Sequence, residues 1–113
     1  MHLFIELFTS KAEWLELTPE QRGEYLQRVG PNMQALLDEP GVEMIGVGWA
    51  DPDTRHHAGY DVYSVWKLPD RASVRRLEQS IQDDGWYDYF EQVNVSGELE
   101  DMPTMMQRLA TLA

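Results

Sequence analysis

The chain has 113 residues, enough for one domain whose core buries about 65% of the surface that the unfolded chain exposes. Acids outnumber Lys plus Arg by 20 to 9, for a net charge of −11, a balance that repels nucleic acid and anionic membrane surfaces. Cysteine is absent, which excludes disulfides, Cys-ligated zinc, iron–sulfur clusters and thiol catalysis.

Residues 2–8, HLFIELF, form a short apolar run rich in aromatics, and they read as a first strand. The N-terminus has no basic region ahead of this run, and no apolar run reaches membrane-spanning length, so the expected location is the cytoplasm. A connector, SKAEWLEL, follows with Trp14, Leu15 and Leu17 as anchors. Thr18 is then a helix N-cap, Pro19 suits the first helical position, and Gln21 completes a capping box. Tyr25, Leu26, Val29, Met33, Leu36 and Leu37 recur at helical spacing and predict one buried face. Gly30-Pro31 is expected to interrupt this helix, with a kink at Pro31, and Pro40-Gly41 ends it.

Residues 42–50, VEMIGVGWA, read as a second strand in which Gly46 and Gly48 share a face and leave room above the sheet. ADPDTRHHAG is a polar hairpin loop, and residues 60–67, YDVYSVWK, are a third strand. Asp70 caps a second helix in which Val74, Leu77 and Ile81 face inward, and Gly85 is its terminating glycine. The aromatic stretch GWYDYFEQVN leads into a fourth strand at residues 90–96. After an acidic ELED comes an amphipathic tail helix with Met102, Met105, Met106, Leu109 and Leu112.

The order β-α-β-β-α-β predicts an α+β ferredoxin-like plait over residues 1–98, an antiparallel four-stranded sheet with two helices on one face, followed by a tail helix over residues 99–113. With one face uncovered, the strands should alternate apolar and polar. The first strand instead is apolar on both parities, through Leu3, Phe4, Ile5, Leu7 and Phe8. The second face therefore needs a cover, and a second copy of the same sheet supplies it, which predicts a homodimer.

Glu6 is the only charge in its strand, and pointed into the core it is a candidate general acid or base. The bland alternative is an edge position or a structural pair with Lys67 or an arginine. His56 and His57 read as solvated loop residues, with His57 as a candidate proton shuttle. They and the nearby Asp51 and Asp53 show no recognised ligand spacing, and no metal site or cofactor is expected. Trp49, Tyr60, Tyr63, Trp66, Trp86, Tyr87, Tyr89 and Phe90 read first as core and interface packing. As a site they would wall a flat apolar ligand, with Tyr60 or Tyr63 supplying a hydroxyl and Asn94 or Gln92 a hydrogen bond to a carbonyl.

This plait order, the tract YSVWKLPDRASVRRLEQS and the tract GWYDYFEQVNVSGE resemble the dimeric α+β barrel superfamily, and within it a small uncharacterised bacterial family, over residues 1 to about 98. The resemblance implies a dimer and a cleft between helices and sheet. It does not imply one activity, since relatives include haem-degrading monooxygenases, cofactor-free quinone-forming monooxygenases, polyketide cyclases, muconolactone isomerases and chlorite dismutases. Val65-Trp66-Lys67 matches the haem-degrading branch, and by that analogy Trp66 faces the cleft. That branch also needs an Asn where this chain has Glu6 or Leu7, and an iron-ligating His on the second helix, where residues 58–113 contain none. Three readings remain open: a cofactor-independent cyclase, isomerase or monooxygenase acting on a small aromatic or polyketide-like compound, a non-catalytic ligand-binding or stress-response dimer, and a module that captures a partner through its Met-rich tail.

Overall fold

A computed structural model describes residues 1–113. The elements are β1 (His2–Ser10), α1 (Ala12–Leu15), α2 (Pro19–Leu37), β2 (Glu43–Trp49), β3 (Val62–Leu68), α3 (Arg71–Asp83), a 3-10 turn (Trp86–Asp88), β4 (Phe90–Glu98) and α4 (Met102–Ala110). All pairings are antiparallel, in the order β2-β3-β1-β4. This is the ferredoxin-like plait expected from the sequence.

The helix starts follow local chemistry. The Thr18 hydroxyl accepts from the Gln21 amide at 3.1 Å while the Gln21 side chain accepts from the Thr18 amide at 2.9 Å. Asp70 accepts from the Ser73 amide at 2.8 Å, which satisfies one of the orphan donors of the first turn of α3. Gly85, at φ 72°, takes the left-handed conformation that turns the chain after α3.

Three expectations shift in detail. β1 runs on to Ser10, because Thr9 and Ser10 pair with Glu91 and Phe90 of β4. α2 is continuous through Pro31 rather than interrupted there. Gln27, whose carbonyl loses its donor at the proline, is exposed, so water can satisfy that group. On α2 only Tyr25 and Val29 are buried, while Leu26 and Met33 stay 47% and 45% exposed.

Two apolar clusters hold the helix layer to the sheet. At one end Phe4, Trp66 and Leu68 pack under Val74 and Leu77 of α3, with Leu36, Leu37, Val42, Met44 and Ile81 around them. At the other end the aromatic stretch closes the layer. Trp86 stacks on Phe90 with ring centroids 4.0 Å apart, and Phe90 in turn meets Phe8 and Trp14. Tyr89 packs edge-on against Trp14 and Tyr25. Pairs of this kind contribute about 0.5–1.5 kcal/mol each beyond the area they bury.

The opposite face of the sheet is uncovered. Directly paired residues share a face, so Leu3, Ile5 and Leu7 lie with Tyr63 and Val65 on one side and Val93 and Val95 on the other. Val95 is 62% exposed and Val93 44%. The acids on this face lie at its margins: Glu43 opposite Lys67, and at the other end Glu91 and Asp61, whose carboxylate accepts from the Thr9 hydroxyl. α4 does not cover it and stays exposed throughout.

Candidate functional site

The register across the sheet lays out the helix-facing side as rows. Met44, Trp66, Phe4 and Ser96 form one row, Val47, Ser64, Glu6 and Asn94 the next, and Trp49, Val62, Phe8 and Gln92 a third. A bulge between Met44 and Gly46 makes this possible on β2, since one extra residue there shifts the alternation. Gly46 and Gly48 share a face, as expected, and it is the uncovered one. A Cβ on Gly48 would meet the Tyr63 hydroxyl at 2.8 Å, so this glycine accommodates the Tyr63 ring, which lies across it.

Glu6 sits at the centre of the middle row and is 7% exposed. Its Oε1 accepts from the Ser64 hydroxyl at 2.6 Å and from the Trp66 indole at 2.8 Å, and its Oε2 accepts from the Gln92 amide at 2.8 Å. Gln92 gives its other amide hydrogen to Asn94 at 2.8 Å and accepts from the Trp86 indole at 2.9 Å. Every donor to the carboxylate is uncharged. The ion pairs of the chain, Arg75 with Glu78, Arg76 with Glu39 and Arg108 with Glu100, lie elsewhere, and Lys67 points to the opposite face. An ionised carboxylate has about four acceptor positions, and three are filled, which leaves one on Oε2 for an incoming group.

Next to this row the helix layer does not reach the edge strand. Val47 and Trp49 face the helix side yet stay 66% and 81% exposed. They form an apolar shelf in line with Ser64 and Glu6. A separate groove of about 450 Å³ runs between α2 and α3, where Glu39 meets Arg76, and its lining does not include Glu6.

Of the residues singled out from the sequence, Glu6, Trp66, Trp86 and Asn94 come together in one hydrogen-bonded network, and Trp49 stands on the shelf beside it. The others lie apart. His57 is in the exposed hairpin loop, where its Nδ1 accepts from the Gly59 amide at 2.8 Å. Tyr60 precedes β3, Tyr63 is on the uncovered face, and Tyr89 belongs to the aromatic cluster. Sequence reasoning gave Gln92 a ligand carbonyl rather than Glu6 as its partner, and left Ser64 without a role. The available signal was parity, since Ser64 alternates with Trp66 and Gln92 with Asn94. No three His, Asp or Glu side chains gather in a group able to hold a metal ion.

One ionisable group lies shifted near the site. Tyr25 is buried under the aromatic cluster and donates its hydroxyl to the Asp84 carbonyl at 2.9 Å. Burial first, and then the negative charge of Asp84, push its pKa from 10.0 to about 12.

No helix is long and apolar enough to cross a membrane. A search of curated proteins finds no match to the chain. Among solved structures, it is similar to a chlorite dismutase variant from Candidatus Nitrospira defluvii, with a TM-score of 0.72 and 13% identity over 97% of this chain and 44% of that one. The chain thus spans less than half the length of that protein. It is also similar to a dimeric ferredoxin-like protein of unknown function from Thermobifida fusca, with a TM-score of 0.53 and 16% identity over 87% and 90% of the two chains. A third likeness is to a dabb family protein with a ferredoxin-like fold from Mesorhizobium loti, with a TM-score of 0.54 and 12% identity over 88% and 97%. At these identities the likeness establishes the fold, and at that level it bears out the resemblance to the dimeric α+β barrel proteins. A family model matches residues 1–112, and the chain belongs to that family, a family of unknown function (DUF6616).

Proposed function

We propose that the chain works as a homodimer that takes a small, flat, largely apolar molecule against the shelf at Val47 and Trp49 and moves a proton on it with Glu6. The observation that carries this reading is the Glu6 carboxylate, buried among three uncharged donors and without a cation. Such a group is expensive to bury for structure alone, and buried carboxylates of this kind concentrate at functional sites. The reaction class that fits is isomerisation or cyclisation. Glu6 accepts a proton from one C–H or O–H of the ligand and returns it at another atom, so no oxidant is consumed. Asn94 and the Trp49 ring would orient the ligand, and residues 1–98 would form the working unit.

Homodimer formation is supported by the uncovered, nearly uncharged sheet face and by the description of the Thermobifida fusca neighbour as dimeric. A second reading, ligand binding without turnover, is favoured by the occupancy of three of the acceptor positions of Glu6.

The test is Trp fluorescence titration with hydroxylated naphthalenes and naphthoquinones, followed by chromatography for a rearranged product. Saturable quenching that Trp49→Ala weakens, with product formed by the wild type and lost in a folded Glu6→Gln variant, supports the enzyme. Saturable quenching with no product from any compound supports the binding reading. Absence of saturable quenching across the panel overturns both.

A further inference from the structure

We infer that α4 is an exchanged arm, whose apolar stripe packs on the second copy of this chain. The inference rests on the homodimer proposed above. Met102, Met105, Met106 and Leu109 recur at positions i, i+3, i+4 and i+7, one face of a helix. That face stays exposed in its own chain, Met105 least so at 37%. Met102, Met106 and Leu109 are 69%, 59% and 57% exposed, and Leu112 just beyond them is 74% exposed. A solitary nine-residue helix is marginal in water, since helices this short depend on packing. Its N-cap is nonetheless built, with Asp101 accepting from the Thr104 amide at 2.8 Å.

Position selects the occupant. β4 is an edge strand whose Val93 and Val95 lie on the uncovered sheet face, and it ends at Glu98 opposite His2. Only residues 99–101 separate β4 from α4, a link that spans at most about 10 Å. The Leu99 amide is tied to the Met1 carbonyl at 2.9 Å, which fixes the link to the rim of the sheet. A second sheet laid on the uncovered face therefore arrives within reach of α4. The stripe is flexible in shape because methionine dominates it, which suits a surface that closes last. An anionic lipid surface fits poorly, because Glu98 at the end of β4 is followed by Glu100 and Asp101 in the link, and the one basic residue of α4, Arg108, is engaged by Glu100 at 3.4 Å. The family match runs through residue 112, so the arm lies within the region that the family shares.

Two measurements test the arm. The first is filtered NMR on a mixed dimer, one protomer carrying labelled Met methyl groups and the other unlabelled. The second is sedimentation equilibrium of a Met106→Glu, Leu109→Glu double variant beside a sheet-face variant, Val95→Lys. The arm predicts intermolecular contacts from the Met105 and Met106 methyls and a rise in dimer Kd of about tenfold or more in the double variant, the loss expected from one or two buried apolar side chains. If Val95→Lys dissociates the dimer while the double variant dimerises like the wild type and the methyls show no intermolecular contact, the arm is overturned and the sheet-face dimer stands. If the wild type is monomeric at every concentration, the dimer reading fails and the arm fails with it.

Discussion

Glu6 accepts from an indole, a hydroxyl and an amide, and each donor would be left unpaired if the carboxylate went. In Glu6→Gln one oxygen survives to take Ser64 and Trp66, but the new amide meets the amide hydrogen of Gln92, whose own oxygen is already committed to Trp86. A buried donor facing a donor costs about 1–3 kcal/mol. Chemical denaturation at neutral pH should register that loss, and a variant as stable as the wild type would show that the network rearranges freely. Tyr25 makes a second residue-scale prediction. Its pKa is raised to about 12, so the folded state holds the proton more tightly than the unfolded state, whose tyrosine titrates near 10.0. The stability this contributes is complete below pH 10 and is lost as pH climbs to about 12. In Tyr25→Phe, stability should decline less steeply across that window, and at neutral pH the loss of one hydrogen bond should cost about 1 kcal/mol.

Helices in this chain begin where short-range chemistry says they should, because a cap needs only residues three apart. Thr18 with Gln21 and Asp70 with Ser73 are readable from the sequence for that reason. Thr18→Ala should lower stability by about 1 kcal/mol in denaturant titration, with the loss confined to α2 in hydrogen exchange. The carboxyls of Asp70 and Asp101 are both held below their ordinary 3.8, the first by the Ser73 amide and then its hydroxyl, the second by the hydroxyl and then the amide of Thr104. Their capping is therefore present above that value and is lost as pH falls through the lower folded values. Helical signal in circular dichroism should fall over the same range, more steeply in the wild type than in Asp70→Asn. The four strands and the three longer helices were equally legible, since periodicity and turn residues are local signals, whereas the short α1 reads as a connector. The site was legible only in part. A lone acid in an apolar strand marks Glu6, but Ser64, Trp66 and Gln92 come from strands 58 to 86 residues away, and their pairing depends on register. Which side of β2 faces the helices was not legible at all, because the bulge shifts the alternation on which parity arguments depend.

Across the whole molecule, an acidic chain leaves one broad surface almost without acids. That contrast is what a self-association surface requires, because two copies with a net charge of −11 repel everywhere else. The repulsion is long-ranged and screened by salt, so dimer Kd should fall as ionic strength rises towards physiological values. Val95→Lys puts a charge into the middle of the face and should yield a folded monomer in sedimentation. A Kd that rises with salt would mean that ion pairs rather than apolar contact hold the subunits together. The uncovered aliphatic face and the shelf beside Glu6 lie on opposite sides of one sheet, so variants of one should leave the other intact.

The bulge in β2 bears on which changes in chain length this protein can accept. It places one surplus residue at position 45, between Met44 opposite Trp66 and Gly46 opposite Val65. Removing that residue leaves every later pairing as it stands. Removing a residue after it exchanges the two sides of the strand beyond the cut, which turns Trp49 into the aliphatic face. Insertions and deletions among relatives of this chain should therefore collect at position 45 and avoid the four positions that follow.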